Sequence, residues 1–179
     1  MAADVLILTG PPGSGKSTVA RLLTAARERA VHLESDAFFH FVTGGHLEPW
    51  TAGSHAQNVV VMDAVAAAAA TYAGAGYFTV IDGILSPRWF YPPVRESLIS
   101  QGRRVAYAIL RPQVEVAIRR ASERSPGTLA DPAVIRTLWA DFDALDPSLD
   151  PHILDTTLQT PEETAGHISR RLRSGALDV

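Results

Sequence analysis

Eight consecutive residues, Gly10-Pro-Pro-Gly-Ser-Gly-Lys-Ser17, constrain this chain more than any other stretch. A continuous apolar run, Val5-Leu-Ile-Leu8, precedes them, and Val19, Leu22, Leu23 and Ala26 follow at helical spacing. The run reads as a strand buried on both faces, and the spacing after Lys16 reads as a helix with one apolar stripe. A glycine-rich turn between two such elements points successive backbone N–H groups into one hollow, with the positive end of the helix behind them. That arrangement cradles phosphate. The eight residues match G-x-x-x-x-G-K-[ST] in full, and the strand–turn–helix context is the one in which the pattern carries meaning.

An ordinary glycine turn that happens to carry Lys-Ser is the competing reading, and the composition argues against it. The chain has fifteen arginines and a single lysine, Lys16. A compact ammonium, and not a planar fork, stands at the one place where a phosphate loop needs it. Gly10, Gly13, Ser14, Gly15, Lys16, Ser17 and Thr18 are therefore the expected nucleotide contacts. Lys16 would reach the β- and γ-phosphates of ATP, and Ser17 would ligate Mg2+.

The rest of the chain alternates in the same way. Val31–Leu33, Phe78–Ile81, Val105–Leu110 and a weak His152–Leu154 read as strands. Helices are expected from about Ser54 to Tyr72, with Ser54 as the cap, from Gln113 to Arg124, from Asp131-Pro132 onward and from Thr160-Pro161-Glu162-Glu163 onward. Strands alternating with helices predict an α/β fold, a parallel sheet with helices on both faces. The length of 179 residues suits one domain, 1–179, with a short lid near 125–131 around Ser125-Pro-Gly127.

Composition narrows the partners. A net charge of −3 provides no broad positive field for nucleic acid or an anionic membrane. No apolar stretch reaches the roughly 20 residues of a membrane span. The absence of cysteine removes disulfides and thiolate chemistry and fits a reducing, cytoplasmic compartment. A guanine-reading Asn-Lys-x-Asp motif cannot exist where Lys16 is the only lysine. His40, His46 and His55 lack metal-site spacing.

Three further positions bear on chemistry. Ser35-Asp36 follows the second strand, at the sheet edge where ligands bind. Asp36 either accepts the proton of an acceptor hydroxyl or caps the helix expected from Ala37 to Val42; spacing alone does not choose. Asp82-Gly83 ends the third strand and reads as a Mg2+-holding carboxylate, against the alternative of a turn aspartate. Arg120 and Arg124, one helical turn apart beside the expected lid, suit clamping of phosphates, against a solvated helix face. His55, Asn58 and Trp50 are expected at the acceptor.

This set of motifs resembles the chloramphenicol phosphotransferase-like family, related to zeta toxins and more distantly to gluconate and shikimate kinases. The resemblance runs from Val5 to about Leu172 and implies a three-layer α/β/α nucleoside-kinase-like fold with strand order 2-3-1-4-5. It implies Asp36 as general base, with Lys16, Arg120 and Arg124 at the phosphates. The stretches Gly45–Trp50 and Ser54–Asn58, expected to line the acceptor pocket, depart from the antibiotic kinases of the family, which argues against chloramphenicol itself as acceptor. The expected activity is transfer of the γ-phosphate of Mg·ATP to a small-molecule hydroxyl. The alternatives are a nucleoside-monophosphate kinase, a toxin-like nucleotide-sugar kinase and a non-catalytic ATP-binding module. The span from Asp36 to Asp82 contains no arginine, which argues against a phosphorylated acceptor.

Overall fold

A computed structural model describes residues 3–123 and 129–179; Arg124 and most of the expected lid lie outside the described residues. Five parallel strands form one sheet in the order β2-β3-β1-β4-β5. They are β1 (Val5–Thr9), β2 (Ala30–Glu34), β3 (Phe78–Asp82), β4 (Val105–Leu110) and the short β5 (Ile153–Leu154). β1, β3 and β4 are buried along their whole length, as strands covered on both faces must be.

Alternation sorts the core into two layers. Val5 and Ile7 point to the face covered by α3 (His55–Gly74) and α4 (Tyr91–Ser100). Leu6 and Leu8 point to the opposite face, covered by α1 (Lys16–Ala25) and α7 (Pro161–Ser174). α3 brings Val61, Val65, Ala66, Ala69 and Ala73 to the first layer, and the alanines let it lie close to the sheet. Among the described residues no helix is long and apolar enough to cross a membrane.

Two helix starts follow their capping chemistry closely. Asp131 caps α6 (Pro132–Ala140) by accepting from Ala133 N at 2.8 Å, and Thr160 with Glu163 forms a full capping box on α7. Ser54 takes the cap position of α3, but its hydroxyl donates to Pro49 O and Thr51 O instead of capping. The helix after β2, α2, runs Ser35–His40 and not from Ala37, so Asp36 lies inside its first turn and is not its cap. α4 opens with Pro92-Pro93, and prolines fit a first turn, where their missing N–H groups need no partner. α5 covers Val114–Ser122, slightly shorter than the pattern suggests.

Candidate active site

The loop leaves β1 at the carboxyl edge of the sheet and re-enters structure at α1. Its glycines are needed for different reasons. Gly10 (φ +144°) and Gly13 (φ +80°) lie so close to the backbone that a Cβ would stand 2.2 Å from Leu110 O and 1.9 Å from Ala117 O. Gly15 (φ +95°) has open space around it, and its left-handed conformation alone favours glycine. Gly15 is also the N-cap of α1, and no side chain caps that helix. The first N–H groups of α1 are thus left for a ligand. Lys16 is only 8% exposed and folds back over the loop, donating from Nζ to Pro11 O at 3.2 Å.

Asp82 ends β3 between Leu8 of β1 and Glu34 of β2. It is 4% exposed, and His32 Nε2 stands 3.1 Å from its Oδ2. Burial pushes its carboxyl up, but the His32 hydrogen bond, the Lys16 charge and the Ser17 hydroxyl outweigh burial and hold it below the ordinary value. This is a carboxylate facing the loop, not a turn residue. Gly83 explains the neighbouring Ser-Asp pair: a Cβ there would stand 2.1 Å from Ser35 Oγ, so glycine lets the start of α2 press against β3. Ser35 is buried beneath it, and Asp36 follows, exposed.

The donors at this edge suit a hard divalent cation: the Ser17 hydroxyl and the Asp82 carboxylate are oxygen ligands beside the phosphate loop. Among the described residues no cluster of three or more His, Cys, Asp or Glu could hold a metal ion alone. A cation here would take its remaining ligands from phosphate and water.

Cavities open on either side of the loop. One, of about 340 Å³, is bordered by Gly13, Gly15, Thr18, Arg120 and Gln159. In its wall the buried hydroxyls of Ser14 and Thr156 have no hydrogen-bond partner among the described residues, as expected of groups that meet a polar ligand. Arg120 donates to Thr156 O at 3.0 Å and Thr157 O at 3.3 Å and so belongs to this side. It does not line the cavity that holds Lys16, Asp36 and Asp82. The second cavity, of about 620 Å³, is bordered by Lys16, Ser17, Asp36, Asp82, Trp50 and Trp89, among others.

Of the residues expected at the acceptor, Trp50 lines this larger cavity, whereas His55 and Asn58 do not. His55 stacks on Phe90, with ring centroids 6.2 Å apart. Asn58 is 1% exposed and spends its amide on Pro49 O (2.7 Å) and Ser54 Oγ (3.1 Å). Glu48 and Gln57 lie in the stretches expected to line the acceptor pocket, and Glu48 borders this cavity; the role of His32 was missed by sequence reasoning. His32 carried a signal, being a titratable side chain inside a strand between Val31 and Leu33.

Comparison with known proteins agrees with this geometry. The chain superposes on an APS kinase of Mycobacterium tuberculosis solved with AMPPNP and APS, at 16% identity and TM-score 0.71, covering 96% of this chain and 98% of the other. A gluconokinase from Sinorhizobium meliloti 1021 matches at 18% identity and TM-score 0.67 (96% and 93% covered). The Deinococcus radiodurans tunicamycin resistance protein matches at 16% and 0.67 (94% of each chain). At these identities the likeness establishes the fold, that of P-loop kinases. No curated protein sequence matches. The family model described as chloramphenicol phosphotransferase-like protein matches residues 3–173. Motif, fold and family agree: the chain belongs to the chloramphenicol phosphotransferase-like family of P-loop phosphotransferases.

Proposed function

We propose that this protein transfers the γ-phosphate of ATP to a hydroxyl of a small molecule, with Asp36 as general base. The observation that carries this reading is the meeting of Lys16, Ser17, Asp36 and Asp82 on one cavity beside the phosphate loop. The nucleoside of ATP occupies the smaller cavity against Arg120, Ser14 and Thr156, which gives the orphaned hydroxyls their partners. Arg120 is thereby a nucleotide contact and not a clamp on the transferring phosphoryl group. The phosphates thread the loop, so that the terminal one emerges beside Lys16 and faces the larger cavity.

An acceptor in that cavity presents its hydroxyl to Asp36, which takes the proton as the oxygen attacks phosphorus and the β–γ bridge breaks toward ADP. Lys16 offsets the charge on the transferring group. Ser17 and Asp82 would hold Mg2+, which when bound would neutralise charge on the phosphates. His32 keeps the Asp82 carboxylate ionised and oriented.

The test is acceptor-dependent release of ADP from ATP across a panel of hydroxyl compounds, with the phosphorylated product identified by mass spectrometry. ADP formation that requires Mg2+ and scales with one acceptor class is the expected result. Tight ATP binding without acceptor-dependent turnover across the panel would favour a nucleotide-binding module.

A further inference from the structure

The larger cavity says more about its occupant than the phosphotransfer reading uses. Four carboxylates line it, Glu34, Asp36, Glu48 and Asp82, against one permanent cation, Lys16, and among the described residues no arginine does. Asp82 is engaged by His32, Lys16 and Ser17, and Glu34 lies 3.7 Å from His32 Nδ1. Asp36 stands beside the loop. Glu48 differs: among the described residues its carboxylate enters no ion pair or hydrogen bond, although its backbone oxygen accepts from Thr51.

The backbone that carries Glu48 is nevertheless fixed. Gln57 clamps Leu47 from both sides, its Oε1 accepting from Leu47 N at 2.8 Å and its Nε2 donating to Leu47 O at 2.7 Å. Ser54 and Asn58 donate to Pro49 O at 2.8 and 2.7 Å. Three side chains around the start of α3 thus hold the residues on either side of Glu48, and Glu48 lines the cavity with Trp50 and Trp89. Such pre-organisation lowers the ordering cost of recognition. Carboxylate and ring faces in one wall favour a cation, the one by a charge-assisted hydrogen bond and the other by the ring quadrupole. They disfavour an anion, which would meet like charges beside the nucleotide's own phosphates.

We propose that the acceptor is a hydroxyl compound with an aromatic or apolar body and a protonated amine, and that Glu48 reads the amine. The inference rests on the larger cavity being the acceptor site, as proposed above. Three near-isosteric probes test it at pH 7: phenylalaninol (ammonium), 2-methyl-3-phenylpropan-1-ol (neutral) and 2-benzyl-3-hydroxypropanoate (carboxylate). Binding is followed by tryptophan fluorescence and calorimetry, with Mg·ATP affinity measured alongside. The ammonium compound should bind about tenfold more tightly than the neutral one, with the carboxylate weakest. Glu48→Gln, an isosteric change at an exposed position, should remove most of that preference. Equal or tighter binding of the neutral or anionic compound overturns the inference, as does no binding of the amine up to about 10 mM, or a preference that survives Glu48→Gln. A chain that binds Mg·ATP but fails these tests loses the amine inference alone. A chain that binds the amine without binding ATP loses the phosphotransfer reading and keeps the amine site.

Discussion

The phosphate loop and the larger cavity beside it are built by different means. The loop itself is backbone: glycines in contact with β4 and α5, an uncapped helix start, and Lys16 folded over its own loop. Residues Pro11 to Ser14 are all buried there. The wall of the larger cavity is side chains hung on an exposed segment, with residues 43–48 open to solvent, Leu47 held by Gln57 and Pro49 by Ser54 and Asn58. A backbone site fixes one ligand chemistry, because an amide cradle offers only N–H groups. A tethered segment can change its recognition residues while its anchors stay.

The contrast should break first at Lys16. Lys16→Ala should cut phosphotransfer on the order of a thousandfold or more while leaving amine binding in the larger cavity measurable. Lys16→Arg should also be poor, because a planar fork does not fit a loop shaped around a point charge. Near-normal turnover in Lys16→Arg would remove the argument from the lone lysine.

Paired glycine substitutions sharpen the comparison. Gly13→Ala places a Cβ against Ala117 O and forces a positive φ, so ATP affinity should collapse and stability fall by about 1–3 kcal/mol. Gly45→Ala has open space around it and meets only the φ penalty (φ +71°). It should cost about 1–2 kcal/mol and leave ATP affinity unchanged in calorimetry. Equal effects of the two on ATP binding would contradict the division into sides.

Asn58→Ala removes two hydrogen bonds that hold Pro49 and Ser54. A melting temperature lowered by the equivalent of about 1–3 kcal/mol is expected, with acceptor KM raised and ATP affinity kept. The smallest effect concerns pH. The Asp82 carboxyl is held below its ordinary value of 3.8, so its stabilisation is complete above that value and is lost as pH falls below it. Acid unfolding of Asp82→Asn should therefore be shallower below about pH 4 than that of the parent chain.

How much of this was legible in the sequence follows from the same division. The phosphate cradle is local: eight consecutive residues between a strand and a helix, so motif and periodicity suffice. The sheet was legible for a related reason, since β1, β3 and β4 are predominantly apolar runs, interrupted only by Thr79 and ended by Thr9 and Asp82, and β1 is the centre of the order. The acceptor side is assembled across distance. His32 meets Asp82 from fifty residues away, a separation that no window of sequence displays. Asn58 looked like an acceptor contact because an amide at a helix start suits that role. Its use on Pro49 depends on how the loop before α3 folds back. Asp36 was ambiguous because a cap and a base have the same spacing from a strand; the helix beginning at Ser35 removes the cap.

Asp36 borders the larger cavity and among the described residues accepts no hydrogen bond. Asparagine keeps its size and removes its ability to take a proton. Calorimetry of Mg·ATP binding to Asp36→Asn, beside acceptor-dependent ADP release, measures both sides at once. ATP affinity within about twofold of the parent, with turnover reduced about a hundredfold to ten-thousandfold, is the predicted result. Turnover per folded molecule equal to that of the parent would contradict it and leave the transfer step without this base.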